Sequence, residues 1–284
     1  MFSNIFYEYL PEYHFKRNVF CAIISLWWNS FVSEEDTEQL LIIIRNDRTF
    51  KEGETLLQFC RKYKHGFVIL TYSLIYLMVF FYLERMPVHG YHVVHTVFDD
   101  MIPFCEYFIV PYLLWFPYMI GTVAYFIFVN KNKREYYQLI CNMMMGMTIF
   151  LIVSYVYPNV LHLRPSEFPR DNIFTDAVKW LYRTDTSTNV LPSIHVFNSL
   201  AIHMSLTSCE ALKDRKLIKR SSLILTILII MSTMLLKQHS VIDVCMGATL
   251  ALFGYLVFYP QKALETSGES VFTSYKKHHN DYKL

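Results

Sequence analysis

The chain has 284 residues, of which 54% are hydrophobic and 17% aromatic while only 18% are charged, and its mean hydropathy is +0.25. That composition excludes an ordinary soluble domain of this size, and a formal net charge of +2 gives neither the basic field that nucleic acid requires nor an acidic one. The six cysteines, Cys21, Cys60, Cys105, Cys141, Cys209 and Cys245, show no CxxC spacing and mostly sit in apolar runs. They read as buried thiols, not as a disulfide or zinc framework.

Residues 1–64 are the least membrane-like part. Glu8, Pro11 and Glu12 interrupt the region where a cleavable signal peptide needs a continuous apolar core, so the first spanning segment is expected to serve as its own insertion signal. The run from Val19 to Val32 is short for the ~20 residues of a span and reads as an interfacial or packed helix. Ser33 with Asp36 resembles a capping box, and Leu40, Leu41 and Ile44 then recur at helical spacing before the charged stretch Arg45 to Glu54.

Six longer apolar runs follow: Phe67 to Leu83, Phe108 to Val129, Leu139 to Tyr157, His195 to Leu212, Ser221 to Leu236 and Val241 to Tyr259. Each is long enough, or nearly so, to cross a bilayer as a helix. The expected architecture is an all-α polytopic membrane protein of six spans over residues 65–260, with residues 1–64 as an appendage and 261–284 as a tail. Lys131, Lys133 and Arg134 lie between the second and third runs, and Lys213, Arg215, Lys216, Lys219 and Arg220 between the fourth and fifth. The positive-inside rule places both loops, and with them both termini, in the cytoplasm. The loops Glu84 to Pro103, Pro158 to Ile194 and Lys237 to Ser240 are then expected outside. The methionines Met143, Met144, Met145 and Met147 read as adaptable packing, and Trp27, Trp28, Trp115 and Trp180 as interfacial anchors.

One reading of the first outer loop makes His89, His92 and His95, with Asp99 and Asp100, the metal ligands of a transporter or sensor. The plainer reading is a polar membrane-edge loop lying over a pocket, because strict three-residue spacing drifts around a helix.

The outer side also collects Arg164-Pro165, Pro192-Ser193-Ile194-His195, and Ser232, His239 and Asp243. Pro192 favours a helix start and Ser193 can cap it, so the stretch is either a plain N-cap or an anion site whose free N–H groups attract phosphate. His239 and Asp243 are four apart and would share one face of a continuous helix. A carboxylate on one imidazole nitrogen fixes the tautomer and leaves the other nitrogen nucleophilic. Ionisable groups at the end of an apolar run are costly and mark function. Two histidines, one so oriented, beside an arginine and a helix start point to phosphoryl transfer without a metal.

These residues resemble the type 2 phosphatidic acid phosphatase superfamily, whose pattern is KxxxxxxRP, PSGH and SRxxxxxHxxxD. Here it is met by Tyr157 to Arg164-Pro165, by Pro192-Ser193-Ile194-His195, and by Ser232-Thr233 followed by His239 and Asp243. The resemblance covers roughly residues 66–260. It implies a membrane lipid phosphatase that needs no cofactor, with His239 as the nucleophile, Asp243 orienting it, His195 as the general acid, and Arg164 and Ser193 binding phosphate. The substrate it implies is a lipid phosphate or polyprenyl diphosphate entering from the bilayer.

Two departures from the pattern matter, Tyr157 in place of the family lysine and Thr233 in place of the arginine. Lys237, four residues after Thr233, and Arg170, six after Arg164, are the candidate replacements. The same departures resemble the sphingolipid-synthase branch, in which a phospho-headgroup passes to an alcohol instead of water.

Overall fold

The computed structural model describes residues 61–260 except His89. The expectations for Val19 to Val32, the Ser33 capping box, Trp27, Trp28, Cys21, Cys60, His89 and the tail lie outside the described residues. The chain divides into two units, Met1–Lys62 and Tyr63–Leu284, and the second is described below.

Its elements run α1 (Gly66–Arg85), β1 (His92–Val93), α2 (Val97–Met101), a 3₁₀ turn (Glu106–Phe108), α3 (Ile109–Phe128), α4 (Lys133–Val156), β2 (Asn159–Val160), α5 (Ile173–Thr184), α6 (Ile194–Ser208), a second 3₁₀ turn (Glu210–Leu212), α7 (Lys216–Leu235) and α8 (Val241–Phe258). Among the described residues, α1, α3 with its preceding turn, α4, α7 and α8 are long and apolar enough to cross a membrane. The chain is thus an integral membrane protein built mainly of helices. Its outward side chains are apolar, as at Leu74, Met78 and Phe81 on α1 and Leu252, Phe253 and Leu256 on α8.

The fourth expected span differs. α6 has 15 residues, about 22 Å at 1.5 Å per residue, short of a hydrocarbon core of about 30 Å. It begins only after the polar loop ending at its N-cap Ser193, and it stops where Cys209 becomes extended and the chain turns through Glu210–Leu212. α6 is also the innermost helix, packed against α3, α4, α7 and α8, whereas α1 packs mainly on α4.

Close approach of the helices depends on small residues. A Cβ on Gly247 would lie 2.6 Å from the Ser193 carbonyl oxygen, and one on Gly254 2.0 Å from Asn142 Oδ1. Met143 is buried and Met145 packs against the cluster of Phe197, Ala201 and Ala251, so the methionines serve the core. Of the described cysteines, Cys209 is buried, but Cys141 and Cys245 lie on exposed helix faces. The apolar runs that suggested burial in protein are there faces turned outward.

The loops at the end of the bundle where α1, α4 and α7 finish are tied together. β1 and β2 pair in parallel, His92 opposite Asn159 and Val93 opposite Val160. Asn159, fully buried, accepts on Oδ1 from the amides of Val190 (2.8 Å) and Leu191 (3.1 Å), while its carbonyl accepts from the Asn189 amide (2.7 Å). That clamp fixes the chain leading into Pro192 and Ser193.

Candidate active site

At this same end a cavity of about 40 Å³, enough for a few waters, is lined by Phe80, Phe150, Asp185, Thr186, Thr188, Asn189, Val190, Ile194, His195, Gln238 and His239. His239 Nδ1 lies 3.3 Å from Asp243 Oδ2, and His239 Nε2 lies 3.4 Å from His195 Nδ1. Both rings are buried. A carboxylate only accepts, so His239 Nδ1 carries the proton, and in the neutral ring Nε2 keeps a lone pair. The hydrogen between the two rings then belongs to His195 Nδ1.

His239 and Asp243 do not share a helix face as their spacing suggested. α7 ends at Leu235, and α8 begins at Val241 with Ser240 as its N-cap. His239 precedes the cap, and Asp243 completes a capping box by accepting the Ser240 amide at 2.9 Å on the oxygen that faces His239. The Thr233 carbonyl accepts from the amides of both Gln238 (2.9 Å) and His239 (3.0 Å). A helix N-terminus thus orients the imidazole.

Ser193 caps α6 through Oγ, which accepts from the Val196 amide at 3.4 Å, and its own N–H donates to the Asp243 carbonyl at 3.2 Å. Arg164 stands behind the cavity wall. Its guanidinium donates to the carbonyls of Tyr182 (3.1 Å), Asp185 (2.8 Å) and Thr186 (2.8 Å) and to Gln238 Oε1 (2.6 Å), and it lies over the Tyr182 ring.

The two candidate replacement cations are elsewhere. Lys237 has φ +55°, which turns it off the helix path, and its ammonium donates to the carbonyls of Asp99 (2.7 Å) and Ile102 (2.5 Å). Burial lowers its pKa, with Asp99 and Asp100 pulling the other way. Arg170 pairs with the buried Glu106 at 3.1 Å. Neither lines the cavity. Tyr157, at the family lysine position, stacks on His92 with ring centroids 4.0 Å apart. Thr233 bonds back to the Ile230 carbonyl.

The described members of the proposed metal loop do not converge. His95 pairs with Asp100 at 3.0 Å, His92 stacks on Tyr157, and Asp99 faces the turn that leads into α8. Asp99 accepts from Ser240 Oγ (2.7 Å), the Val241 amide (2.8 Å) and the Thr96 amide (2.7 Å). Burial acts to raise its pKa, but these hydrogen bonds outweigh it and hold the carboxyl below the usual value. Trp115 is not an interfacial anchor: it is 6% exposed and packs on His195 with centroids 4.5 Å apart, Tyr112 covering the ring at 4.7 Å. Trp180 is exposed, as an anchor would be.

Sequence reasoning missed Glu84, Asp185, Asn189, Asn159 and Gln238. Glu84, at the end of α1, accepts from Thr186 Oγ1, Thr188 Oγ1 (3.2 Å) and Asn189 Nδ2 (3.0 Å). Asp185 accepts from Tyr112 OH at 2.9 Å, and burial raises its carboxyl above the ordinary value. The Thr96–Asp99 capping spacing was a local signal, whereas these five meet partners from 31 positions away (Asn159 and Val190) to 105 (Glu84 and Asn189).

No family model matches the chain, and no solved structure does. An uncharacterized protein of Methanocaldococcus jannaschii is 26% identical over 160 residues, 54% of this chain and 59% of that protein. The match therefore spans less than two thirds of the relative's length.

Proposed function

We propose that the chain is a membrane phosphohistidine enzyme of the type 2 phosphatidic acid phosphatase kind, acting on a lipid phosphate ester. The observation that carries the reading is the line Asp243–His239–His195 at the cavity wall, with distances of 3.3 and 3.4 Å. His239 Nε2 attacks phosphorus, the phosphorus–oxygen bond to the leaving group breaks, and His195, as an imidazolium, gives its Nδ1 proton to the departing oxygen. Asp243 holds the tautomer and stabilises the charged ring. Water then takes the phosphoryl group from His239, and its proton returns to His195. A phosphoryl group does not fit between nitrogens 3.4 Å apart, so binding separates the two rings.

In this reading α6 is counted as a sixth, shortened span at the centre of the bundle. The cavity lies on the outer side, because the basic loops around Lys131 to Arg134 and Lys213 to Arg220 sit at the other end. Lipid substrate reaches it from the bilayer beside Phe80 and Phe150, and the chemistry draws on no metal.

Transfer of a phospho-headgroup to an alcohol is the second reading, and one observation favours it. None of the cavity-lining residues is a lysine or arginine, while Asp185 is among them.

The test is phosphate release from phosphatidic acid, a polyprenyl diphosphate and phosphatidylglycerol phosphate, and headgroup transfer from a labelled phospholipid with diacylglycerol or ceramide added. An acid-labile, base-stable phosphoprotein that forms in the wild type and is missing in His239→Ala is expected. Full turnover by His239→Ala would overturn the reading.

A further inference from the structure

Gln238 carries a polar atom that the chemistry above does not use. The residue is 3% exposed and lines the cavity beside both histidines. Arg164 donates to its Oε1 at 2.6 Å. A guanidinium has donors only, so the amide oxygen must face it and the amide orientation is fixed. Nε2 is then turned away from Arg164, and it is buried without a partner. Buried donors in native structures are nearly always satisfied, and an orphan beside a reactive pair points to a ligand.

Asn189 shows the reverse. Its Nδ2 donates to Glu84 Oε1 at 3.0 Å, and Glu84 also accepts from Thr186 and Thr188. The carboxylate fixes this amide too, and the orphan is the acceptor Oδ1. Asp185 lines the same cavity. The cavity thus offers a neutral donor next to the histidines and acceptors on the wall formed by residues 185–189.

A phosphate monoester carries close to two negative charges near neutral pH, and a diester carries one. Arg164 is not itself a lining residue: it holds Gln238 Oε1 and the backbone carbonyls of Tyr182, Asp185 and Thr186 from behind the wall. A second negative charge on the ligand would face Asp185, with Glu84 behind the threonines, in a poorly screened site.

We infer that the cavity is the headgroup site for a phosphodiester lipid: Gln238 Nε2 donates to a non-bridging phosphoryl oxygen, and Asn189 Oδ1 with Asp185 accepts from an ammonium or hydroxyl on the headgroup. The inference rests on the phosphohistidine reading and adds its substrate class. His239 Nε2 forms the nitrogen–phosphorus bond, the bond from phosphorus to the diacylglycerol oxygen breaks, and that oxygen leaves with the His195 proton. The phospho-headgroup stays on His239 until an alcohol or water oxygen takes it and returns a proton to His195.

The test uses the full chain in lipid nanodiscs with phosphatidylethanolamine, phosphatidylglycerol and phosphatidic acid of the same acyl chains. A diester should exceed phosphatidic acid in kcat/KM by at least about tenfold. Gln238→Glu keeps an acceptor for Arg164 and removes the donor, so it should melt like the wild type yet lose about 10²-fold in kcat, the usual effect of deleting one oxyanion donor. Gln238→Met should lose activity similarly. Preference for phosphatidic acid, or a Gln238→Glu variant within twofold of wild type, overturns the inference while a dead His239→Ala leaves the phosphohistidine reading standing. No turnover of either diester also overturns the inference, whereas an active His239→Ala overturns the phosphohistidine reading itself.

Discussion

α6 carries two histidines eight residues apart, a little over two turns, and their surroundings divide the bundle into two regions. His195, at the start of the helix, meets a second histidine at 3.4 Å, a carboxylate behind that, and a cavity. His203, in mid-helix and half-buried, accepts or donates at 2.9 Å to Ser222 Oγ, which in turn bonds Tyr118 OH. Hydroxyls of this kind satisfy an imidazole without giving it an oriented charge. The contrast is one of partners: His195 faces a histidine that a carboxylate fixes, beside a cavity, whereas His203 meets only hydroxyls.

The sharpest break of that comparison is kinetic. His239→Ala should lower turnover by at least about 10³-fold, the scale on which loss of one member of a nucleophile–base set acts. His203→Ala should stay within about threefold and show itself only as a lower melting temperature in detergent. Equal losses from the two variants would erase the distinction between the regions.

A second contrast uses packing. Gly247→Ala sets a Cβ 2.6 Å from the Ser193 carbonyl, and Gly254→Ala sets one 2.0 Å from Asn142 Oδ1. Both should cost about 1–3 kcal/mol, the usual range for overpacking. Gly247 joins α8 to the start of α6, so its variant should also lose about tenfold in kcat by moving His239 relative to His195, an effect of misplacement. The Gly254 variant should keep its kcat. Thermal melts and kinetics on the same preparations separate the two costs.

The smallest effect concerns acid. Asp99 is held below the ordinary carboxylate value of 3.8, so its contribution to stability is present above that value and fades as pH falls through the folded-state value. Wild-type melting temperature should therefore drop below about pH 4, with Asp99→Asn lower at neutral pH and flatter across the same window.

What could be read in advance follows the range of the interactions. The helices were legible because apolar runs are contiguous, and the grouping of His195, His239 and Asp243 because Ser193–His195 and His239–Asp243 are short, local patterns. Lys237 was misread because helical spacing was extended past Leu235, where a left-handed residue swings the side chain toward residues 99–102. α6 was drawn too long because Cys209 to Leu212 are apolar enough to continue a run but lie beyond its end. Glu84, Asp185, Asn189 and Gln238 left no local trace. They take their roles from approaches between segments as distant as Glu84 and Thr186, 102 positions apart.

That separation bears on how the molecule is assembled. Phe80 and Glu84 come from the first described helix, Phe150 from α4, and Gln238 and His239 from the turn before the last. As the ribosome feeds helices into the bilayer in order, α1 arrives with a carboxylate whose partners have not been made, and it must wait beside α4, its main neighbour, until residue 189 emerges. The wall at residues 185–190 then folds around that waiting carboxylate, and His239 is installed last. A nascent chain arrested before residue 239 would hold a nearly complete cavity wall that lacks only its histidine from the last turn.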